Sequence, residues 1–228
     1  MNLESRIDEI SERIGKAAAR SGRLAEDVKL VAVTKQVEPD VIARAAQYGL
    51  RAFGENYAQE LRLKQEIISR SVSDDVEWHF IGRLQRNKVK YLVGSVALIH
   101  SLDTVSAASE IDRKARASGM KMPVLVEVNT GGESKGGVEP GALGDFLQEL
   151  AGLQGVELKG LMTMPPYFDD PEKARPYFAA LRDLRDRLSA KYPGLKELSM
   201  GMSGDFEVAI EEGATIVRIG SAIFGNRA

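Results

Sequence analysis

Short runs that are apolar on nearly every residue, such as Val124-Leu125-Val126-Glu127-Val128, recur along this chain between stretches of helical periodicity. A strand with one wet face alternates apolar and polar residues. One that is apolar throughout is buried on both faces, as in a parallel sheet covered by helices. Strands are expected at Lys29–Val33, Arg51–Gly54, Glu77–Ile81, Leu98–His100, Val124–Val128, Leu158–Met162, Glu197–Ser199 and Thr215–Ile219. Helices are expected near 39–48, 56–70, 85–93, 104–118, 141–151, 171–190 and 204–212, with a short eighth near Ala222. An amphipathic helix carrying Leu3, Ile7, Ile10 and Ile14 precedes the first strand. Eight strand–helix units in about 200 residues is the count of a (β/α)8 barrel, an α/β fold. A doubly wound sheet gives the same alternation. No Pro/Gly/Ser-rich linker and no break in composition divide residues 1–228, which therefore read as one barrel domain with its N-terminal helix.

Composition narrows the function classes. The charged fraction is 28% and the net charge −2, so no global basic field points to nucleic acid or an anionic membrane surface. Cysteine is absent, which removes disulfides, thiolate metal sites and a cysteine nucleophile. The N-terminus lacks a signal peptide's apolar core and no long apolar run offers a membrane span, so a cytoplasmic location is expected. The two histidines, His79 and His100, have no neighbour at metal-ligand spacing, and no metal is expected.

Polar residues gather where the expected strands end: Lys35, Asn56, His79, His100, Asp103, Asn129, Thr163, Ser199 and Arg218. In a barrel those ends form the functional face. The glycine-rich run Gly131–Gly137 follows a strand and reads as a loop on that face. If the sheet closes, its first and last strands are neighbours, and Lys35, Arg218 and the Gly220-Ser221 turn meet at one mouth. An amine, a fixed cation and a phosphate-sized turn suggest a phosphorylated aldehyde. Plainer readings stand beside this one. Lys35 can snorkel its amine into water. Arg218 can pair with Glu55 or Asp205, Ser203 can cap the helix Asp205–Glu211, and His79 can be a satisfied core residue. Lys88, in its basic segment, and Lys135 can be merely solvated.

Several segments, taken in order, carry a resemblance. They are Val33-Thr34-Lys35, Phe53-Gly54-Glu55-Asn56-Tyr57-Ala58-Gln59-Glu60, Trp78-His79-Phe80-Ile81-Gly82 and Leu84-Gln85 with Asn87-Lys88. His100-Ser101-Leu102-Asp103, Val128-Asn129 through Lys135-Gly136-Gly137 and Gly160-Leu161-Met162-Thr163-Met164 continue it. Ser199-Met200-Gly201-Met202-Ser203-Gly204-Asp205 and Val217-Arg218-Ile219-Gly220 complete it. Over nearly its whole length the chain resembles the pyridoxal phosphate homeostasis protein family. The resemblance implies a (β/α)8 barrel like the N-terminal domain of alanine racemase, a fold type III pyridoxal phosphate protein. It implies pyridoxal 5′-phosphate held covalently on Lys35 as an internal aldimine. Arg218 would face the pyridine nitrogen, while Ser199, Gly220 and Ser221 would hold the phosphate. Asn56 and His79 would line the ring, with Met200 packed nearby, and Lys135 and Lys88 would affect cofactor release or a second binding mode. Ser221 stands where many relatives carry threonine, which keeps the hydroxyl. Arg83 and Arg86 stand where proline and serine are frequent.

The implied role is to buffer and deliver the cofactor, maintaining vitamin B6 and amino-acid homeostasis without turnover. The protein would work as a monomer, and apo forms of pyridoxal phosphate-dependent enzymes would be its partners. A racemase-like enzyme is the alternative. Two-base racemisation needs a positioned group on each face of the ring. Racemases of this fold type draw the second from a C-terminal domain, and with Arg218 about ten residues from the last residue none is expected here. An aldolase-like use of Lys35 on a sugar phosphate is a third possibility.

Overall fold

Eight strands lie parallel and close on themselves in the order β1-β2-β3-β4-β5-β6-β7-β8, so the chain is a (β/α)8 barrel. The structure is a computed structural model and describes residues 2–70, 72, 76–131 and 136–225. The strands are β1 (Lys29–Val33), β2 (Ala52–Glu55), β3 (Glu77–Phe80), β4 (Leu98–Leu102), β5 (Met122–Glu127), β6 (Val156–Met162), β7 (Glu197–Ser199) and β8 (Ile216–Ile219). The α-helices are α1 (Leu3–Arg20), α2 (Pro39–Gln47), α3 (Ala58–Ile68), α4 (Val105–Ala117), α5 (Leu143–Ala151), α6 (Arg175–Ser189), α7 (Phe206–Glu211) and α8 (Ser221–Phe224). After β3 the crossover is a 3-10 helix, Arg86–Tyr91, where an α-helix was expected over 85–93.

Closure rests on β1, which pairs with β2 through Val31↔Ala52 and with β8 through Val31↔Arg218. It excludes the doubly wound alternative. Strand side chains alternate between two faces, and here each face has its own core. Val31, Ala52, Leu98, Leu125, Met162 and Ile216 fill part of the lumen. A larger apolar layer, which includes Phe53, Phe80, Phe178 and Phe206, lies between sheet and helices. The lumen also holds polar side chains, as described below. Gly54 points into it, where a Cβ would come within 2.9 Å of Val31 Cγ1.

α1 starts at Asn2, whose side chain accepts the Ser5 N–H at 2.8 Å, and turns Ile7, Ile10, Ile14, Ala17 and Ala18 inward at helical spacing. It packs on α7 and α8. Past its end Arg23 donates to the carbonyls of Ile210 (3.1 Å), Asp27 (3.1 Å) and Ala214 (2.8 Å), tying the entry into β1 to the turn before β8. Arg23→Ala leaves those acceptors to water or to nothing. It should cost about 1–2 kcal/mol of stability, read from the shift of a urea unfolding curve.

Candidate functional site

At the C-terminal ends of the strands lies a cavity of about 650 Å³ whose walls include Val33, Lys35, Phe168, Ser203, Arg218 and Ser221. Lys35 stands in the turn leaving β1. Its neighbour Gln36 has φ 58°, a left-handed conformation that costs a non-glycine residue about 1 kcal/mol. The Gln36 N–H donates to Glu60 Oε1 at 2.6 Å. From α3, Lys64 Nζ donates to the Thr34 carbonyl (2.6 Å), to Glu55 Oε1 (2.8 Å) and to Glu60 Oε1 (2.6 Å). The Thr34 hydroxyl donates to the same Glu55 oxygen at 2.6 Å. Burial pushes the Glu55 carboxyl above its ordinary range, against the lowering effect of Lys64. These bonds brace the turn on both sides, while the Lys35 amine makes no hydrogen bond or ion pair among the described residues.

Arg218 comes from β8 and is only 4% exposed. Its guanidinium donates through Nη1 to Ser199 Oγ at 2.5 Å and through Nη2 to the Thr163 carbonyl at 3.0 Å. No carboxylate among the described residues lies in ion-pair range. The two partners that the sequence offered are engaged elsewhere: Glu55 with Lys64, and Asp205 Oδ1 with the Met202 N–H at 2.6 Å. Burial pushes Arg218 down to about 10, although Glu127 and Asp205 act from further away to raise it. A buried cation with two neutral acceptors and further N–H groups to place suits an electron-rich ligand atom.

The far wall is built by two loops. After β7 the chain turns at Gly201 with φ 93°, where a Cβ would meet Ala209 Cβ at 2.6 Å, so only glycine fits. Ser203 Oγ then accepts the Gly220 N–H (3.4 Å) and the Ala222 N–H (3.3 Å), drawing the β7 and β8 loops together. The cap expected of Ser203 is not formed; Asp205 occupies the N-cap of α7, without a side-chain cap bond. The backbone N–H groups of Ser203, Gly204 and Ser221 have no acceptor among the described residues. Together they form a concave run of donors.

Of the residues singled out from sequence, Lys35, Arg218, Gly220 and Ser221 line this cavity. Ser199 does not: it is fully buried, and its hydroxyl is engaged by Arg218 and by His100 Nδ1 at 2.8 Å. Met200 lies in the layer between sheet and helices, on the strand face opposite Ser199. His79 points into the lumen, bonded to His100, and borders a second cavity at the N-terminal ends of the strands. Asn56 follows β2. Its carbonyl crosses Gly82 so closely that a Cβ there would stand 2.0 Å away, and its own Oδ1 is buried without a partner. Lys88 sits in the 3-10 helix, away from the cavity walls. Lys135 and the middle of its glycine-rich loop lie outside the described residues. Sequence reasoning missed the wall Pro166-Tyr167-Phe168, of which Tyr167 is 84% exposed. The adjacent prolines Pro165 and Pro166 were a usable loop signal there. It also missed Lys64 as the brace of the Lys35 turn. Among the described residues there is no group of metal-ligating side chains, and no helix is long and apolar enough to cross a membrane.

The family model described as alanine racemase, N-terminal domain, matches residues 6–228. A pyridoxal phosphate homeostasis protein of Aquifex aeolicus is 52% identical over 229 residues, covering 100% of this chain and 99% of that one. The solved structure of PipY from Synechococcus elongatus with PLP bound is 32% identical and superposes with a TM-score of 0.86, covering 98% of this chain and 100% of that one. Alanine racemase from Corynebacterium glutamicum shares the fold, with a TM-score of 0.73 at 17% identity; the match spans 96% of this chain and 62% of that one. The barrel, its mouth and the full-length likeness agree, and the chain belongs to the pyridoxal phosphate homeostasis protein family.

Proposed function

We propose that the mouth cavity holds pyridoxal 5′-phosphate on Lys35 and that the protein buffers the cofactor and hands it on without turning over a substrate. The observation that carries the reading is the meeting, in one cavity, of a primary amine without a partner and a buried guanidinium without a carboxylate in ion-pair range, both among the described residues. The cofactor supplies an aldehyde that condenses reversibly with a primary amine. The residues present fit it. Lys35 offers the amine at the end of a braced turn. Arg218 only donates hydrogen bonds, so a pyridine nitrogen facing it must accept and stays unprotonated, which weakens the ring as an electron sink. The free N–H groups of Ser203, Gly204 and Ser221, with the Ser221 hydroxyl, offer a cradle for the phosphate.

The same walls support the carrier role over a racemase role. Besides Lys35 and Arg218, the titratable groups lining the cavity among the described residues are Tyr167 and Asp205. Tyr167 is largely in solvent, and the Asp205 carboxylate is tied to the Met202 N–H. Neither is held as a second base across from Lys35. The curated relatives are named for homeostasis. In this reading the recipients are apo forms of pyridoxal phosphate-dependent enzymes, and the protein acts as a cytoplasmic monomer.

The test is direct. Titration with pyridoxal phosphate should raise a new visible absorption band. Borohydride reduction and peptide mapping should then place the label on Lys35, and Lys35→Ala should carry none. A label on another lysine, or no band, would overturn the cofactor assignment. Racemisation of an amino acid, read by chiral chromatography and lost in Lys35→Ala, would overturn the carrier assignment.

A further inference from the structure

Beneath Arg218 a line of hydrogen bonds crosses the lumen. Arg218 Nη1 donates to Ser199 Oγ; Ser199 Oγ lies 2.8 Å from His100 Nδ1; His100 Nε2 lies 2.8 Å from His79 Nδ1; His79 Nε2 lies 3.4 Å from Glu77 Oε2. Ser199 belongs to β7 and His100 to β4, strands that do not pair, so this link spans the barrel interior. Ser199 and His100 are fully buried and His79 is 2% exposed. At the far end Glu77 also accepts from Lys29 at 2.7 Å, and that ion pair borders a cavity of about 280 Å³ with His79 in its wall.

The carboxylate end sets the direction of the line, and the arginine end is compatible with it. Arginine has donors and no acceptor; an ionised carboxylate has acceptors and no donor. Ser199 Oγ accepts from Arg218, and with the His100 proton on Nε2 it gives its own proton to the Nδ1 lone pair. His100 carries its proton on Nε2 and donates to His79 Nδ1. His79 carries its proton on Nε2 and donates to Glu77. Reversing the Ser199–His100 or the His100–His79 link alone would set two donors or two acceptors face to face among buried groups, and reversing both would turn a ring lone pair toward Glu77. A proton added to His79 Nδ1 would force His100 into its other tautomer and aim a second donor at Ser199. The state of the far end is thereby felt at the guanidinium.

We infer that Ser199, His100 and His79 are positioning residues: a one-directional relay that orients Arg218 toward the mouth cavity and connects it to Glu77 at the opposite end of the barrel. Its bearing on cofactor binding rests on the proposed pyridoxal phosphate site; the relay itself does not.

Two measurements separate these. The chain has two histidines, so ring-¹⁵N spectra of the ligand-free protein need a single variant, His79→Gln, for assignment. Both rings are expected as neutral Nε2–H tautomers at neutral pH. An Nδ1–H tautomer or a charged ring at either position would overturn the relay, whatever the protein binds. In the second measurement pyridoxal phosphate is titrated into three variants. Ser199→Ala and His100→Leu should each weaken binding roughly tenfold and move the visible band. His100→Asn, which keeps an acceptor where Nδ1 stands, should recover most of the affinity. Wild-type affinity and an unmoved band in a folded Ser199→Ala protein would overturn the positioning role. If the wild-type protein takes up no pyridoxal phosphate, the proposed site fails, and the tautomers alone decide the relay.

Discussion

Lys64→Met is expected to lower the unfolding free energy at neutral pH by about 3–5 kcal/mol, the range for breaking a buried ion pair from one side. Lys64 is 5% exposed and its ammonium is shared by Glu55, Glu60 and the Thr34 carbonyl. Glu55 is fully buried, and its second oxygen, Oε2, has no partner. Without Lys64 that carboxylate keeps only the Thr34 hydroxyl, and protonation becomes its cheapest state. The carboxyl is already raised by burial and would rise further. A folded-state value above the unfolded one means that the native state takes up its proton first, so the variant should regain stability as pH falls. Glu55→Gln added to Lys64→Met should recover much of the loss, since no charge remains to be desolvated. Urea unfolding of the two variants at pH 5 and pH 8 measures both effects. A loss under about 1 kcal/mol in the single variant would mean that water reaches Glu55 in the folded protein.

The second large effect is an acid-dependent gap between the wild type and His79→Gln. Burial holds His79 at about 4, against 6.5 for a free imidazole, and holds His100 well below 6.5. Between those values the unfolded chain binds a proton that the fold refuses, so the contribution of His79 to stability falls as pH falls through the window and is flat above it. The difference in pKa corresponds to about 3 kcal/mol. Asp103, Glu127 and Asp205 are raised by burial and act in the opposite sense, so the wild-type curve alone conceals the effect. The advantage of the wild type over His79→Gln isolates it, and should shrink by about 3 kcal/mol between pH 6.5 and pH 4. A gap independent of pH would show His79 solvated or already charged.

The fold was largely legible because several strand runs are apolar for a physical reason, burial on both faces. The short β8 was readable on that basis, whereas β7, Glu197-Leu198-Ser199, is apolar at one residue of three and was readable only from its place in the strand–helix alternation. Closure was not legible in the alternation alone, which a doubly wound sheet shares; the family resemblance implied it, and the pairing of Val31 with Arg218 shows it. The segment 85–93 misled because its charges suit the exposed face of an α-helix, whereas the chain there makes the tighter 3-10 turn.

At the site, Lys35, Gly220 and Ser221, in the loops beyond the strands, line the cavity together with Arg218. Alternation shows which face a strand residue takes but not its depth. Ser199 has the right face and lies a layer too deep; His79 has the right face and lies near the other end. Met200 could have been set aside, since neighbours in a strand point opposite ways. Lys64 was invisible because a lysine in an amphipathic helix ordinarily reaches solvent, and only the packing of α3 against β2 buries it.

The β1–β8 pairing carries a consequence for biosynthesis. Lys35 emerges from the ribosome early and Arg218 after nearly all the rest of the barrel. A nascent or truncated chain that lacks β8 has the amine but neither the guanidinium nor the loop that closes the cradle. On the proposed site, cofactor capture would be a property of finished molecules, and a fragment released before β8 would lack half of that site.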